Sequence, residues 1–300
     1  MDNGNPTPPD SGLPPAAAGS PAAAPAKAGM SRRATMVILL IAISFVVMPF
    51  LFWRASWFGA PMSARELTEA LQPGAEPRKT QHALAQLQNL IDAHSPAAHR
   101  WYREIIAEAQ HPDSQIRLTT AWVMGFDNTS AEFHQALTPM LADPDPMVRV
   151  NAALALVRFA DPAGRPQLLA LLQPYTLTAP ATGYTTATLR PRLKEREAVR
   201  PGTMVARMDS AKGEIEVRSP VPGKLEHWEA AAGAQITPGQ PLCILSPDPQ
   251  ASWEALRALY LIGQPEDSQV VAAFLRTSGD LPGNVSEQAR LTLQALQARK

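Results

Sequence analysis

The chain repeats itself. Thr178-Ala179-Pro180-Ala181-Thr182-Gly183 is echoed by Ser219-Pro220-Val221-Pro222-Gly223, and Val199-Arg200-Pro201-Gly202-Thr203-Met204-Val205 by Ile236-Thr237-Pro238-Gly239-Gln240-Pro241-Leu242. A half-motif that returns in the same order predicts two similar β-units folded about a pseudo-twofold axis. The Pro-Gly pairs suit type II turns, because proline presets φ at one central position and glycine tolerates positive φ at the next. On this reading Gly183 and Gly223 mark matching bends. The first phrase recurs after 40 residues and the second after 37, so the first half is expected to carry about three extra residues, placed in a surface loop around Arg190–Glu197.

The front of the chain is of another kind. Residues 1–33 are mostly proline, alanine, glycine and serine, which bury too little surface to offset the entropy of ordering, and predict a disordered cytoplasmic tail. Residues 34–53 (ATMVILLIAISFVVMPFLFW) carry no charge and are long enough, at helical rise, for a hydrocarbon core of about 30 Å. They predict a transmembrane helix, with Pro49 near its far end and Trp53, Trp57 and Phe58 as an interfacial anchor. Lys27, Arg32 and Arg33 precede the run and only Arg54 follows closely. That bias predicts a single-pass protein of a bacterial-type inner membrane, with a cytoplasmic N-terminus and periplasmic C-terminal domains. The membrane bilayer and a membrane-protein complex are the expected partners. A net charge of zero gives no basis for nucleic-acid binding.

Residues 62–173 show alanine and leucine at three- and four-residue spacing, broken at proline or Asp-Pro, which predicts helices. His111-Pro112-Asp113 with Ile116-Arg117 and Ala121 returns 32 residues later as Asp143-Pro144-Asp145 with Val148-Arg149 and Ala153. The unit DPDPMVRVNAALALVRFADPAGRPQLLALL resembles a HEAT repeat, an αα-hairpin that buries its apolar face only by stacking on neighbours. Residues 250–300 continue in the same style, with Leu291, Leu293 and Leu296 expected on one helix face.

Between these helical stretches, residues 174–248 read as strands, with Glu214-Ile215-Glu216-Val217-Arg218 alternating at period two. With its two half-motifs, and VRSPVPGKL followed by GAQITPGQPLCIL, this segment resembles the biotinyl/lipoyl domain, a barrel-sandwich hybrid also found in the membrane-fusion (periplasmic adaptor) family. The fold class expected is therefore α+β: an N-terminal transmembrane helix, a HEAT-like array and an inserted all-β domain. The resemblance implies that Lys212, seven residues before the Ser-Pro phrase, occupies the cofactor-bearing position of carrier relatives. Its neighbours Ala211 and Gly213 depart from the carrier pattern, and a solvated, unmodified hairpin lysine is the plainer reading. The long helical hairpin that adaptor relatives insert between the halves is also missing.

Nothing in the chain announces chemistry. The histidines at 82, 94, 99, 111, 134 and 227 are scattered without metal-ligand spacing, no phosphate-binding loop or nucleophile elbow occurs, and the single Cys243 sits in an apolar run as a small core residue. No catalytic residue, metal or cofactor is expected. The functional expectation is a membrane-anchored, non-catalytic scaffold or assembly subunit presenting protein-interaction surfaces outside the cytoplasm. The alternatives are an adaptor-like component of a transport system and a lipoyl or biotin carrier using Lys212. Trp101, Tyr102, Trp122, Trp228 and Trp253 are expected in cores or domain junctions, with one near a repeat edge available to anchor a partner.

Overall fold

A computed structural model describes residues 32–58, 61–277, 279 and 281–299, with the side chains of 34 and 51–58 outside the description. The chain divides into two units, Met1–Ala60 and Pro61–Lys300. The expected tail falls almost wholly outside the described residues, as do the side chains of the expected aromatic anchor.

In the first unit Arg32–Phe58 forms one helix, α1. Among the described residues no helix is long and apolar enough to cross a membrane. This overturns the transmembrane helix expected over 34–53. The bacterial-type inner-membrane placement, with its cytoplasmic N-terminus and periplasmic C-terminal domains, falls with it.

The second unit is α+β. Its helices are α2 (Ala64–Ala70), α3 (Pro77–Asp92), α4 (Tyr102–Ala107), α5 (Ser114–Met124), α6 (Ala131–Met140), α7 (Pro146–Arg158), α8 (Arg165–Ala170), α9 (Pro249–Ile262), α10 (Ser268–Thr277) and α11 (Gly283–Ala298). The 32-residue sequence repeat is also a repeat of bonds. Asp113 and Asp145 cap α5 and α7 by accepting from the backbone N–H of Gln115 and Met147, each at 2.8 Å. One turn into each helix an arginine folds back: Arg117 donates to the carbonyls of His111 and Pro112, and Arg149 to those of Asp143 and Pro144. The repeats are then joined. Arg117 makes a bidentate pair with Asp143 at 2.7 and 2.8 Å, so the arginine of one unit holds the Asp-Pro start of the next.

Helices α3, α5, α7, α9 and α11 form a row, each packed on the one before. The row is continuous although the β-unit interrupts the sequence between α8 and α9. Leu168 and Leu172 share a core with Ala255, Leu256 and Leu259, the Ser252 hydroxyl donates to the Leu171 carbonyl at 3.1 Å, and Arg165 pairs with Glu266 and Asp267. Insertion leaves the array intact because entry and exit of the β-unit are neighbours. Its first strand, β1 (Tyr175–Thr178), pairs antiparallel with its last, β8 (Pro241–Pro247), Tyr175 opposite Leu245, and Asp248 immediately caps α9.

The remaining strands are β2 (Ala187–Pro191), β3 (Ala198–Val199), β4 (Met204–Ser210), β5 (Gly213–Arg218), β6 (Gly223–Trp228) and β7 (Gln235–Ile236). They form two antiparallel sheets, ordered β1-β8-β6-β3 and β5-β4-β2-β7. Exchanging each strand with the one four places along turns either order into the other, which is the twofold exchange that the duplicated phrases predict. Backbone bonds repeat with it: Ala179 N–H to Gln240 O and Gly239 N–H to Ala179 O correspond to Ser219 N–H to Thr203 O and Gly202 N–H to Ser219 O. Buried positions repeat as well, Leu177 with Val217, Val199 with Ile236 and Met208 with Leu245. Cys243 corresponds to Ala206, both fully buried. A small core residue is what the place requires, and burial pushes the Cys243 thiol up to about 11.

The register corrects two expectations. Ladder partners equate Ala187, not Gly183, with Gly223, because the Ala187–Ser210 pair in one sheet corresponds to Gly223–Pro247 in the other. Gly183 has φ +101°, as a turn glycine would, but Gly223 lies in strand β6 without positive φ. Gly223 is glycine for another reason: a Cβ there would stand 2.6 Å from the Ser246 carbonyl oxygen. The extra residues of the first half lie in the connection 179–186, longer than its counterpart 219–222, whereas 192–197 and 229–234 are equal in length.

Pseudo-symmetry also explains Arg196, which has φ +72° although a side chain opposes that conformation. Its backbone N–H donates to Leu225 O as Gly233 N–H does to Leu189 O, and Gly233 has φ +81°. The sheet geometry imposes the left-handed turn on both halves and only one supplies glycine. We expect Arg196→Gly to raise unfolding free energy by about 0.5–1 kcal/mol in a urea titration. A loss of stability would show that the arginine side chain holds the loop.

Candidate functional site

The helix row carries a groove of about 730 Å³ along α5, α7, α9 and α11. Its floor is made of small residues because the helices approach closely there. Ala155 and Ala258 are buried, and a Cβ on Gly125, at the end of α5, would stand 3.0 Å from the Ala155 Cβ. Its walls are large. Trp122 rises from α5, Trp253, Tyr260 and Leu261 from α9, and Leu291 from α11.

Outside α1, the exposed large apolar side chains among the described residues are Trp122, Tyr260, Leu261 and Leu291, at 43%, 45%, 65% and 47% exposure. All four line this groove. Single exposed apolar residues need no explanation, but their convergence on one groove is the mark of a contact surface. Leu291 was expected on one helix face with Leu293 and Leu296. Residues two apart on a helix cannot share a face, and only Leu296 of the three is fully buried.

Two arginines complete the groove. The Arg257 guanidinium carbon lies 4.7 Å from the Trp253 ring centroid, and that of Arg158 4.5 Å from the ring of Phe126, which itself meets Trp122 edge-on at 4.8 Å. Arg158 donates to the Gly125 carbonyl at 3.3 Å. Neither arginine has a carboxylate partner among the described residues. Glu254, the one acidic residue lining the groove, accepts instead from Gln250 at 2.9 Å.

A second, polar cleft of about 720 Å³ lies near α4 and the start of α6. Tyr102, stacked on Phe133 at 4.2 Å, donates its phenol to Asp127 at 2.8 Å. Burial, and then this hydrogen bond to a carboxylate, push the phenol up well beyond its ordinary value. Burial opposes ionisation of Asp127 too, but hydrogen bonds from Thr129 and Tyr102 outweigh it and hold that carboxyl below its usual range. A phenol held protonated against a carboxylate held ionised makes a fixed strut between repeats, with no proton near neutral pH to exchange.

The residues singled out from sequence are spread over the unit. Lys212 stands exposed in the two-residue turn between β4 and β5, its backbone N–H donating to the Ser210 hydroxyl at 3.2 Å. Trp101 and Tyr102 are buried in the helical core, Trp228 donates to the Leu193 carbonyl, and Trp122 and Trp253 reach the groove. In the stretch Arg190–Glu197, Arg190 pairs with Asp209 across β2 and β4, while Arg192, Lys194 and Arg196 are exposed. Among the described residues no group of three or more His, Cys, Asp or Glu side chains is placed to hold a metal ion. Tyr260, Leu261 and the two arginines were missed. Their signal was a helix face of mixed large apolar and basic residues, which reads as ordinary surface until the helices are set side by side.

A family model for HEAT repeats matches residues 102–178, about a quarter of the chain, from α4 to the end of β1. No curated protein matches the chain. The match covers both 32-residue units, so residues 102–178 carry HEAT repeats, modules that generally mediate protein–protein contacts.

Proposed function

We propose that the chain is a non-catalytic, protein-binding scaffold or assembly subunit whose docking face is the groove along α5, α7, α9 and α11. The observation that carries this reading is the gathering of Trp122, Tyr260, Leu261 and Leu291 into one groove of a HEAT-repeat array. Stacked helical repeats offer an extended surface held rigid by the core behind it, and aromatic side chains there bring large contact area at small entropic cost. The β-unit, inserted without disturbing the row, adds a second surface away from the groove's lining.

The test is affinity purification of the full chain followed by the triple variant Tyr260→Ala, Leu261→Ser, Leu291→Ser. Because these side chains are exposed, unfolding free energy is expected to change by no more than about 0.5 kcal/mol each. Recovery of the co-purifying protein is expected to fall at least about tenfold. Undiminished recovery would place the contact elsewhere.

A second reading is favoured by one observation, the exposed Lys212 at the tip of a hairpin joining twofold-related sheets, where carriers of the resembling family bear their cofactor. Its flanks lack the carrier pattern, and we expect intact-mass measurement to give the unmodified 32.3 kDa. A mass increment lost in Lys212→Arg would establish the carrier instead.

A further inference from the structure

We infer that the groove takes an acidic protein segment bearing large apolar side chains; the inference rests on the docking role of the groove and adds the chemistry of what docks. Apolar anchors are called for by the walls, where Leu261 and Leu291 are aliphatic and Trp122 and Tyr260 aromatic. Acidity is called for by the two arginines. Each guanidinium has one face covered by an aromatic ring, Arg257 by Trp253 and Arg158 by Phe126. Stacking of that kind holds the plane but leaves the in-plane N–H donors open, the geometry that accepts a carboxylate side-on.

Of those donors, one on Arg158 reaches the Gly125 carbonyl, and the rest have no acceptor among the described residues. Elsewhere in this unit Arg117 pairs with Asp143, and Arg165 with Glu266 and Asp267. Arg158 and Arg257 are the two that line the groove, and both lack such a partner. Glu254 does not fill the role, since it lies three residues from Arg257 on the same helix yet bonds to Gln250. A segment that brings its own carboxylates satisfies both guanidiniums while its apolar side chains cover the walls. A basic segment would meet two positive charges against the single carboxylate of Glu254.

The experiment uses the full chain and three labelled synthetic peptides, read by fluorescence anisotropy at low salt. One alternates leucine and phenylalanine with aspartate and glutamate, one replaces the acidic residues by lysine, and one keeps the acidic residues but replaces the apolar ones by serine. The first is expected to bind at least about tenfold more tightly than either other, and to weaken as salt rises. In the variant Arg158→Glu/Arg257→Glu the order of the acidic and lysine peptides is expected to reverse.

Equal binding of acidic and lysine peptides, or no binding of the acidic peptide, overturns the acidic assignment. If acidic binding survives the triple groove variant Tyr260→Ala, Leu261→Ser, Leu291→Ser, the contact lies elsewhere and the docking reading fails as well. If the triple variant abolishes binding but the charge reversal leaves it unchanged, only the acidic assignment fails. Self-association of the free chain that Arg158→Glu/Arg257→Glu abolishes would identify a second copy as the occupant and overturn it too.

Discussion

Arg165→Met is expected to cost about 3–5 kcal/mol of unfolding free energy, the magnitude reached when one member of a buried ion pair is removed. Arg165 opens α8, just before the β-unit, and reaches over an interval of 102 residues to a turn after α9. Its guanidinium bonds both Asp267 oxygens at 2.9 and 2.7 Å, and Glu266 at 2.9 Å. Asp267 is only 3% exposed and also accepts from the Gln264 N–H at 2.8 Å. Methionine matches the arginine stem but leaves a buried carboxylate without its counter-charge.

The Coulombic attraction of the pair is not the quantity that would be measured; most of the loss is the desolvation left uncompensated. That makes a second variant decisive. Arg165→Met/Asp267→Leu is expected to recover much of the loss, because an apolar replacement of both partners leaves no stranded charge. Urea unfolding of the wild type, both single variants and the double checks this. If Arg165→Met alone costs less than about 1 kcal/mol, the pair is a surface contact and the two sides of the interrupted array are held by their shared leucines alone.

Arg117→Met is expected to cost about 3 kcal/mol by the same mechanism, because Asp143 is left 7% exposed without its bidentate partner. Here the pH dependence adds an independent reading. Burial opposes ionisation of Asp143, but hydrogen bonds from Arg117 and the Asp145 N–H, with the charges of Arg117 and Arg149, outweigh it and hold the carboxyl below its ordinary value. Since the folded value lies below the unfolded one, near 3.9, the contribution is complete above that pH. It is lost as pH falls through the folded value. The wild type should therefore lose stability on acidification more steeply than Asp143→Asn, measured as urea midpoint between neutral pH and about pH 3. Parallel slopes for the two proteins would remove Asp143 from the account.

The repeat of HEAT type was legible because its bonds are local. The third residue of each start, Asp113 or Asp145, caps its helix through the N–H two residues on, and an arginine one turn later reaches back to the carbonyls of the first two, so the spacing in sequence is already the spacing in space. The twofold β-unit was legible for a related reason, since duplicated phrases place equivalent turns and strands in order. The mistaken details came from contacts that phrases do not carry. Gly223 is glycine because a strand carbonyl from Ser246 lies against it, and the extra residues sit in 179–186 because ladder register, not phrase similarity, decides which residues are equivalent. The membrane span was inferred from an uncharged run alone. Among the described residues no helix is long and apolar enough to cross a membrane.

Of the groove only Trp122 and Trp253 were legible, as single residues and not as one face. Trp122, Arg158, Tyr260 and Leu291 lie on four helices, two on each side of the inserted strands, and no local pattern relates them. Periodicity told which faces of those helices were apolar, and caps told where the helices began. Sequence alone thus determined the units: helical hairpins that must stack, and a duplicated β-segment that must close on its other half. Tertiary structure decided what the stack would display. Only the pairing of β1 with β8 brings α9 back beside α7, and only that neighbourhood turns scattered surface side chains into a single face with two open arginines.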